Sequence, residues 1–546
     1  MIEGRRSPAT LDPDRLSMAG IRAGALAGRS VTVLGLARTG LAAARFLADA
    51  GADVTVYDGR SAADLEPAIG ELGGRPVHLA LGPDVEPAST WAGAALVVTS
   101  PSISPDFPTT EPRLRSALQA LVRARAGGDA AAPALVSEAD LFLRLCQAPT
   151  IGVTGTKGKT TTASLTAAIL AGDPDHRVVL GGNIGTPLIE RLPELTANER
   201  AVVELSELQL PTLSQGTTVA VYTNVTSDHL DRHGSVEAYR RVKRRLAELV
   251  DPDGALVLNA DDPIVATYAD LGTARSVLYR LERPVSGGVG VVAGWIVAQD
   301  LQRLPLAGGG AAATGPEGRI MPLEELLIPG RHNARNVLAA VATALLFGVE
   351  PDAIRREAAG FRGVEHRLET VAVIDGVRFV NDSQGTQPDA VIAALEAFER
   401  PLILIAGGRD KGVDLKSLAA VVAGRASAAI LIGESAGRLE TLFSAAGLGS
   451  IERAPSLDAA VERAAQLAAE LSTVARRDIA QGGIGAPGPR ATVLLSPAAA
   501  SFDMFVDYAA RGRAFKAAVE RLARTSPARG PAGGDRSART AVEDND

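Results

Sequence analysis

IGVTGTKGKTTT, residues 151–162, decides the reading of this chain. An apolar strand end runs into a glycine turn and a Lys-Thr pair, after which Leu165, Ala168 and Ile169 recur at helical spacing. Strand, glycines, Lys-Thr and helix in that order make a phosphate-binding loop. Gly155 and Gly158 let the backbone N–H groups from Gly155 through Thr156, Lys157 and Gly158 turn toward one anion without Cβ clashes. The helix start at Lys159, Thr160 and Thr161 adds the positive end of its dipole. Lys159 is then expected on the β- and γ-phosphates of a bound nucleotide, and the Thr160 hydroxyl on Mg²⁺. The spacing is GxxGK[ST], with Val153 standing where the longer Walker pattern has a glycine. The bland alternative is a glycine-rich strand-to-helix turn with a solvated lysine, which does not require all of these features in this order.

The chain of 546 residues is too long for one core, and alternating strand and helix patterns predict α/β layers in several domains. Residues 1–27 and 524–546, rich in Arg, Ser, Pro, Gly and Asp, are expected to be disordered. A first unit over 28–147 has the strands VTVLGL (31–36), VTVYD (54–58) and ALVVTS (95–100), and its last helix carries Glu138. A second over 148–363 opens with the phosphate loop and has VVLGG (178–182), AVVEL (201–205), VAVYTN (219–224) and ALVLN (255–259), with a helix at 333–348. A third over 364–523 has VRFVND (377–382), LILIAGG (402–408), AILIG (429–433) and TVLLSP (492–497), separated by Ala-rich helices. The fold class expected is α/β with three domains: a Rossmann-like N-terminal unit, a central P-loop-type ATPase with a mostly parallel sheet, and a Rossmann-like C-terminal unit.

The net charge is −7 and no Lys/Arg run is dense enough for a nucleic-acid footprint, so small anionic ligands would need local basic pockets. The single cysteine, Cys146, excludes an intrachain disulfide framework and a Cys-rich zinc site, and a buried inert thiol in a reducing cytoplasm is expected. The first residues carry charges without an apolar signal core, and no apolar run approaches ~18 residues. A soluble, cytoplasmic protein with no membrane partner is expected.

In the first unit the turn GLARTG (35–40) is similar to a dinucleotide fingerprint, with Asp58 closing the second strand as a ribose-type acceptor. Ala37 replaces the middle glycine that lets backbone approach a pyrophosphate. The motif is open between a nucleotide site, with Leu36, Ala37, Arg38, Thr39, Asp58, Gly59 and Arg60 as its candidates, and a plain strand–helix packing turn. An NAD oxidoreductase is disfavoured by Ala37 and by the phosphate loop.

From the phosphate loop onward the landmarks resemble those of the Mur ligases, ATP-dependent amide-forming enzymes of peptidoglycan precursor synthesis. The matching strings are TGTKGKTT, GGNIGTP (181–187), VELSELQL (203–210), TNVTSDHLDRH (223–233), NADD (259–262), GRHNARNVLAA (330–340), HRLE (366–369), NDSQGTQP (381–388), GGRDKGVD (407–414) and LLSPAAASFDMF (494–505). GLARTG and SPSIS (100–104) extend the match into the first unit. NDS followed by Thr386, GGRDKGVD and the late serine string point within the family to the ligase that adds glutamate. The resemblance implies that UDP-N-acetylmuramoyl-L-alanine is phosphorylated on its carboxylate by ATP and that the acyl phosphate is attacked by the amine of D-glutamate; a monomer is expected.

It also implies residue roles. Glu204 and His229 would hold magnesium with Thr160, and Lys243, in register from Tyr239, would be carbamylated by CO₂ to support a second magnesium. Without the resemblance, Lys243 reads as part of a basic solvated face with Arg240, Arg241, Arg244 and Arg245, Glu204 as a strand-end carboxylate paired with an arginine, and His229 as a capped loop histidine. Asn333, Asn336, Arg367 and Asp382 would hold adenine, ribose and phosphates, and Asn183 would contact the UDP-sugar substrate. In the amino-acid pocket Lys411 is the cation for one carboxylate of glutamate, Thr386, Ser501 and the backbone at Phe502 are donors, and Tyr508 stands where the family often has phenylalanine. Gln384, Gln387 and Glu207 depart from the family pattern. Alternatives are a Mur-type ligase for another amino acid, such as L-glutamate, a folylpolyglutamate-type ligase, which lacks such an N-terminal unit, and a nucleotide-binding module that has lost ligation.

Overall fold

The computed structural model describes residues 10–226, 235–328, 330–410, 414–480 and 489–525. The chain divides into two compact units at Phe361/Arg362. In the first unit, a five-stranded parallel sheet is built from β1 (Ser30–Leu34), β2 (Asp53–Asp58), β3 (Val77–Leu81), β4 (Leu96–Thr99) and β5 (Ala134–Ser137), in the order β3-β2-β1-β4-β5. The order reverses between β1 and β4, and the turn after β1 is GLARTG, so that turn lies at the crevice where ligands of open α/β sheets bind.

The same unit holds a nine-stranded sheet of β6 (Thr150–Thr154), β7 (Val178–Gly182), β8 (Arg200–Glu204), β9 (Val219–Tyr222), β10 (Ala255–Asn259), β11 (Arg275–Tyr279), β12 (Gly288–Val292), β13 (Trp295–Gln299) and β14 (Arg319–Pro322). The order is β14-β13-β12-β11-β10-β9-β6-β8-β7, parallel except for the β12–β13 and β13–β14 pairs. β6 lies between β8 and β9, with Val153 opposite Glu204 and Thr154 opposite Tyr222. That register places the phosphate loop, which follows Thr154, beside the ends of both neighbours. Strands buried on both faces read as continuous apolar runs, which is why β6 and β8–β10 were visible as such. The two sheets share one core: Leu141 and Phe142 pack in the same cluster as Leu188, Ile189 and Leu210.

Residues 10–27 correct an expectation. They are ordered, with a short helix at Met18–Arg22 capped by Ser17, whose Oγ accepts from Gly20 N at 3.1 Å. Leu16, Met18, Ile21 and Leu26 are buried in the core of the first unit. The segment is too poor in apolar residues to fold alone, but each of these side chains gains about 2 kcal/mol by docking on a core that other elements build. Likewise the last helix, Tyr508–Thr525, continues past the boundary expected at 523.

The second unit is a six-stranded sheet of β15 (Glu369–Ile374), β16 (Val377–Asn381), β17 (Leu402–Gly407), β18 (Ala428–Ile432), β19 (Ile451–Arg453) and β20 (Ala491–Leu495), ordered β15-β16-β20-β17-β18-β19. Only the β15–β16 pair is antiparallel. The loops after β16, β20 and β17 are therefore neighbours at one edge.

Candidate active site

The phosphate loop is held in place by hydrogen bonds to its neighbours. Gly155 has φ +146° and a Cβ there would overlap Thr223 Oγ1, while Gly158, at φ +86°, is the residue before the Lys159–Leu170 helix and a Cβ would meet Asn336 Oδ1 at 2.6 Å. Both positions require glycine, each for its positive φ and for the close approach of a neighbour. Asn224 brackets the loop: its carbonyl accepts from Thr156 N at 2.8 Å, its Oδ1 accepts from Lys157 N at 2.9 Å, and its Nδ2 donates to Lys157 O at 2.9 Å. Thr223 Oγ1 donates to the same Lys157 carbonyl at 2.6 Å. Thr156 Oγ1 pairs with Tyr239 OH at 3.0 Å and accepts from Thr226 N at 3.0 Å. Thr160 is buried, and Thr161 is half-buried.

Two lysines converge on this loop. Lys159 Nζ donates to Gly155 O and Thr156 O at 3.0 Å each. Lys243 lies on the Val236–Leu249 helix, is fully buried, and donates to Gly155 O at 2.9 Å and Thr154 Oγ1 at 3.4 Å, with its Nζ 5.5 Å from the Tyr239 ring centroid. The solvated-face alternative for Lys243 is thereby excluded, although Arg241 and Arg244 on the same helix are exposed.

Glu204, the last residue of β8, is also buried. Its Oε1 accepts from Asn183 Nδ2 at 2.7 Å, and Asn183 N donates to the Glu204 carbonyl at 2.9 Å. Glu204 Oε2 is buried with no hydrogen-bond partner among the described residues. The partner is thus an asparagine rather than an arginine, and one carboxylate oxygen is left for a cation. Buried carboxylate and hydroxyl oxygens suit Mg²⁺, which takes few protein ligands alongside phosphate and water; among the described residues no cluster of three His, Cys, Asp or Glu exists for any other kind of metal site. His229 lies outside the described residues. Asn336 is buried in the first turns of the Arg331–Leu346 helix and its Nδ2 donates to Asn333 Oδ1 at 3.2 Å, so these two candidates touch each other and the phosphate loop.

The crevice of the five-stranded sheet brings its candidates together as well. Asp58 accepts from Leu36 N at 2.9 Å and from Arg60 N, Nε and Nη2 at 3.0, 3.0 and 2.8 Å. Burial works to raise the Asp58 pKa, but the hydrogen bonds from Arg60 and Leu36 outweigh it and hold the carboxyl below its usual range. Leu36, Ala37 and Arg38 line a cavity of about 510 Å³ that Gly185, Thr186 and Pro187 close from the nine-stranded sheet. Arg38 Nη2 reaches Asn183 O at 3.5 Å, which links this cavity to the residue orienting Glu204. Another cavity, of about 1010 Å³, lies around Thr150, Arg200 and Asp251, at the starts of β6 and β8 and away from this chemistry.

In the second unit Asp382 follows β16. Its Oδ2 accepts from Ser496 Oγ at 2.6 Å and its Oδ1 from Leu368 N at 3.2 Å, and burial pushes its pKa up to about 6. Arg367 is exposed nearby. Thr386 is half-buried, Ser501 buried, and Phe502 and Tyr508 exposed. Lys411 lies outside the described residues. Gln384, which departs from the family pattern, has its Oε1 buried without a partner among the described residues. Sequence reasoning missed Thr223, Asn224 and Tyr239 as loop clamps; Tyr239 four residues before Lys243 on one helix face was the available signal.

A glycine loop at the end of a parallel sheet, clamped by a neighbouring strand and flanked by a buried lysine and a carboxylate with one open oxygen, defines a phosphate-binding α/β protein. Three family models match this chain: Mur ligase MurD-like, N-terminal domain over residues 29–124, Mur ligase middle domain over 153–344, and Mur ligase, glutamate ligase domain over 366–475. The UDP-N-acetylmuramoylalanine--D-glutamate ligases of Acidobacterium capsulatum and Roseiflexus sp. are each 38% identical to it, covering 90% and 91% of this chain and 96% and 99% of their own. The corresponding ligase of Symbiobacterium thermophilum is 37% identical, over 90% of this chain and 97% of its own. The chain belongs to the Mur ligase family.

Proposed function

We propose that the protein joins D-glutamate to UDP-N-acetylmuramoyl-L-alanine, with ATP cleaved to ADP and inorganic phosphate, in peptidoglycan precursor synthesis. The observation that carries this reading is the phosphate loop standing in register beside Glu204, on a chain similar along nearly all its length to D-glutamate ligases. A carboxylate oxygen of the UDP-sugar takes the γ-phosphoryl group as its bond to ADP breaks. The glutamate amine then forms the amide, loses a proton and releases phosphate. Such transfer is governed by position and charge neutralisation. The N–H groups of the Gly155–Gly158 turn and the Lys159 ammonium receive the phosphates, and Asn333 and Asn336, beside the same turn, take a further part of ATP.

Thr160, Glu204 and His229 would hold Mg²⁺, which supplies charge neutralisation at the phosphates. Lys243 as a carbamate would support a second Mg²⁺: its neutral amine adds to CO₂, an N–C bond forms and a proton leaves, so a cation becomes an anion. The cavity lined by Leu36–Arg38, together with Asp58, which accepts from Leu36 N, takes the UDP moiety, and Lys411, Thr386, Ser501 and Phe502 take glutamate. The reading describes a monomer working in the cytoplasm. Its test is mass spectrometry of products after incubation with UDP-N-acetylmuramoyl-L-alanine, ATP, Mg²⁺ and either enantiomer of glutamate. A glutamyl adduct with the D form alone is expected; an adduct with L-glutamate alone, or ATP consumption without adduct, overturns it.

A further inference from the structure

The Tyr508–Thr525 helix carries a guanidinium that none of these steps uses. Arg511 is 1% exposed. Its Nε donates to Ser383 Oγ at 3.0 Å, its Nη2 to Ser383 O at 2.9 Å, and its Nη1 to Ala499 O and Ala500 O at 3.3 Å each. Ser383 Oγ in turn donates to Tyr508 O at 2.7 Å, so the hydroxyl is committed as donor and acceptor together. Among the described residues every group that receives a hydrogen bond from Arg511 is neutral. Burial pulls its pKa down to about 10, with Asp503 acting on it only through space, so the charge persists at neutral pH.

A buried cation without a touching counter-ion is costly, and an apolar side chain would fill the space more cheaply. What an apolar side chain could not do is bind several fixed carbonyls with one rigid planar fork. Those carbonyls belong to the loops that carry the proposed amino-acid pocket. Ser383 lies between Asp382 and Thr386 in the loop after β16, and Ala499 and Ala500 immediately precede Ser501 and Phe502 in the loop after β20. The Ala500 carbonyl also accepts from Arg409 N at 2.9 Å, which ties in the loop after β17 that leads to Lys411. Ala498 N donates to Gly385 O at 2.9 Å, so the first two loops are bonded directly as well. Gly408 has no side chain where a Cβ would overlap Ala500 O and approach Arg511 Nη1 to 3.2 Å.

We propose that Arg511 is the positioning residue of the amino-acid pocket, fixing Thr386 relative to Ser501 and Phe502 without touching substrate. The proposal rests on the glutamate-ligase reading. Arg511→Lys keeps the charge and loses the fork. In the full-length protein this variant is expected to raise the KM for D-glutamate about tenfold or more, while the KM for ATP and for the UDP-sugar stays within about twofold. Ser383→Ala, which removes one acceptor and the bond to Tyr508, is expected to raise the same constant about threefold. Circular dichroism and the thermal midpoint report folding, and if Arg511→Lys does not fold, Ser383→Ala decides by the same criterion. An unchanged glutamate KM in a folded variant, or a parallel rise for all three substrates, overturns the proposal. A wild-type protein that consumes no glutamate overturns the underlying reading instead, and the two failures are distinguishable.

Discussion

A buried ammonium beside a phosphate site needs a reason, because such a charge taken out of water costs several kcal/mol. Lys243 meets Gly155 O and Thr154 Oγ1 at the root of the phosphate loop, where a carbamate would put negative charge instead. Lys243→Ala is expected to lose ligation while staying folded, and to recover part of it with added formate or acetate; full activity, or loss with no rescue by any short carboxylate, removes the carbamate. This residue was only half legible in the sequence. Four flanking arginines suggest a wet face, yet Tyr239, Lys243, Leu246 and Ala247 form the buried stripe at helical spacing. The open oxygen of Glu204 was not legible at all, because it depends on where Asn183 packs. Asp382 makes a second residue-scale prediction. Its folded pKa of about 6 lies above the unfolded value of 3.8, so the stability it contributes is present below that unfolded value and is lost as pH rises through about 6. The displacement corresponds to about 3 kcal/mol. Urea unfolding of the ligand-free protein should show this loss in the second unit, and Asp382→Asn should flatten it; an equal slope in both proteins would contradict the assignment.

At the scale of elements, the parallel strands around the phosphate loop were read to within a residue or two, because strands covered on both faces leave uninterrupted apolar runs. The antiparallel strands β12–β14 were not. The β12–β13 hairpin turns at Ala293 and Gly294, with φ +49° and +78°, between the paired Val292 and Trp295. A two-residue turn of that hand ordinarily announces itself as Asn-Gly or Asp-Gly, and Ala in the first place hides it. The phosphate loop itself was legible because glycine is demanded twice. Gly155→Ala brings both a strained φ and a clash with Thr223, for a cost of about 1–3 kcal/mol. Relief requires the loop to move away from Thr223 and Asn224, the residues that aim its N–H groups. The variant should therefore lose nucleotide affinity by calorimetry while glutamate-pocket variants keep it; wild-type affinity would mean that the loop geometry is not what binds phosphate.

At the scale of the molecule, the three sheets fall into two compact units, and among the described residues each unit has hydrophobic cores of its own. Separate cores imply separate cooperative transitions. Scanning calorimetry of the full chain should resolve two. A non-hydrolysable ATP analogue with Mg²⁺ binds the folded phosphate loop and not the unfolded chain, so at about a hundredfold excess over its dissociation constant it should stabilise the unit carrying that loop by about 2.7 kcal/mol. Variants assign the transitions: Gly155→Ala should lower the first and abolish its nucleotide shift, and Ser383→Ala should lower the second alone. The linkage is decisive because it does not depend on turnover. A nucleotide shift that survives Gly155→Ala would place the phosphate site elsewhere, and a single transition lowered equally by both variants would show that the two cores unfold as one.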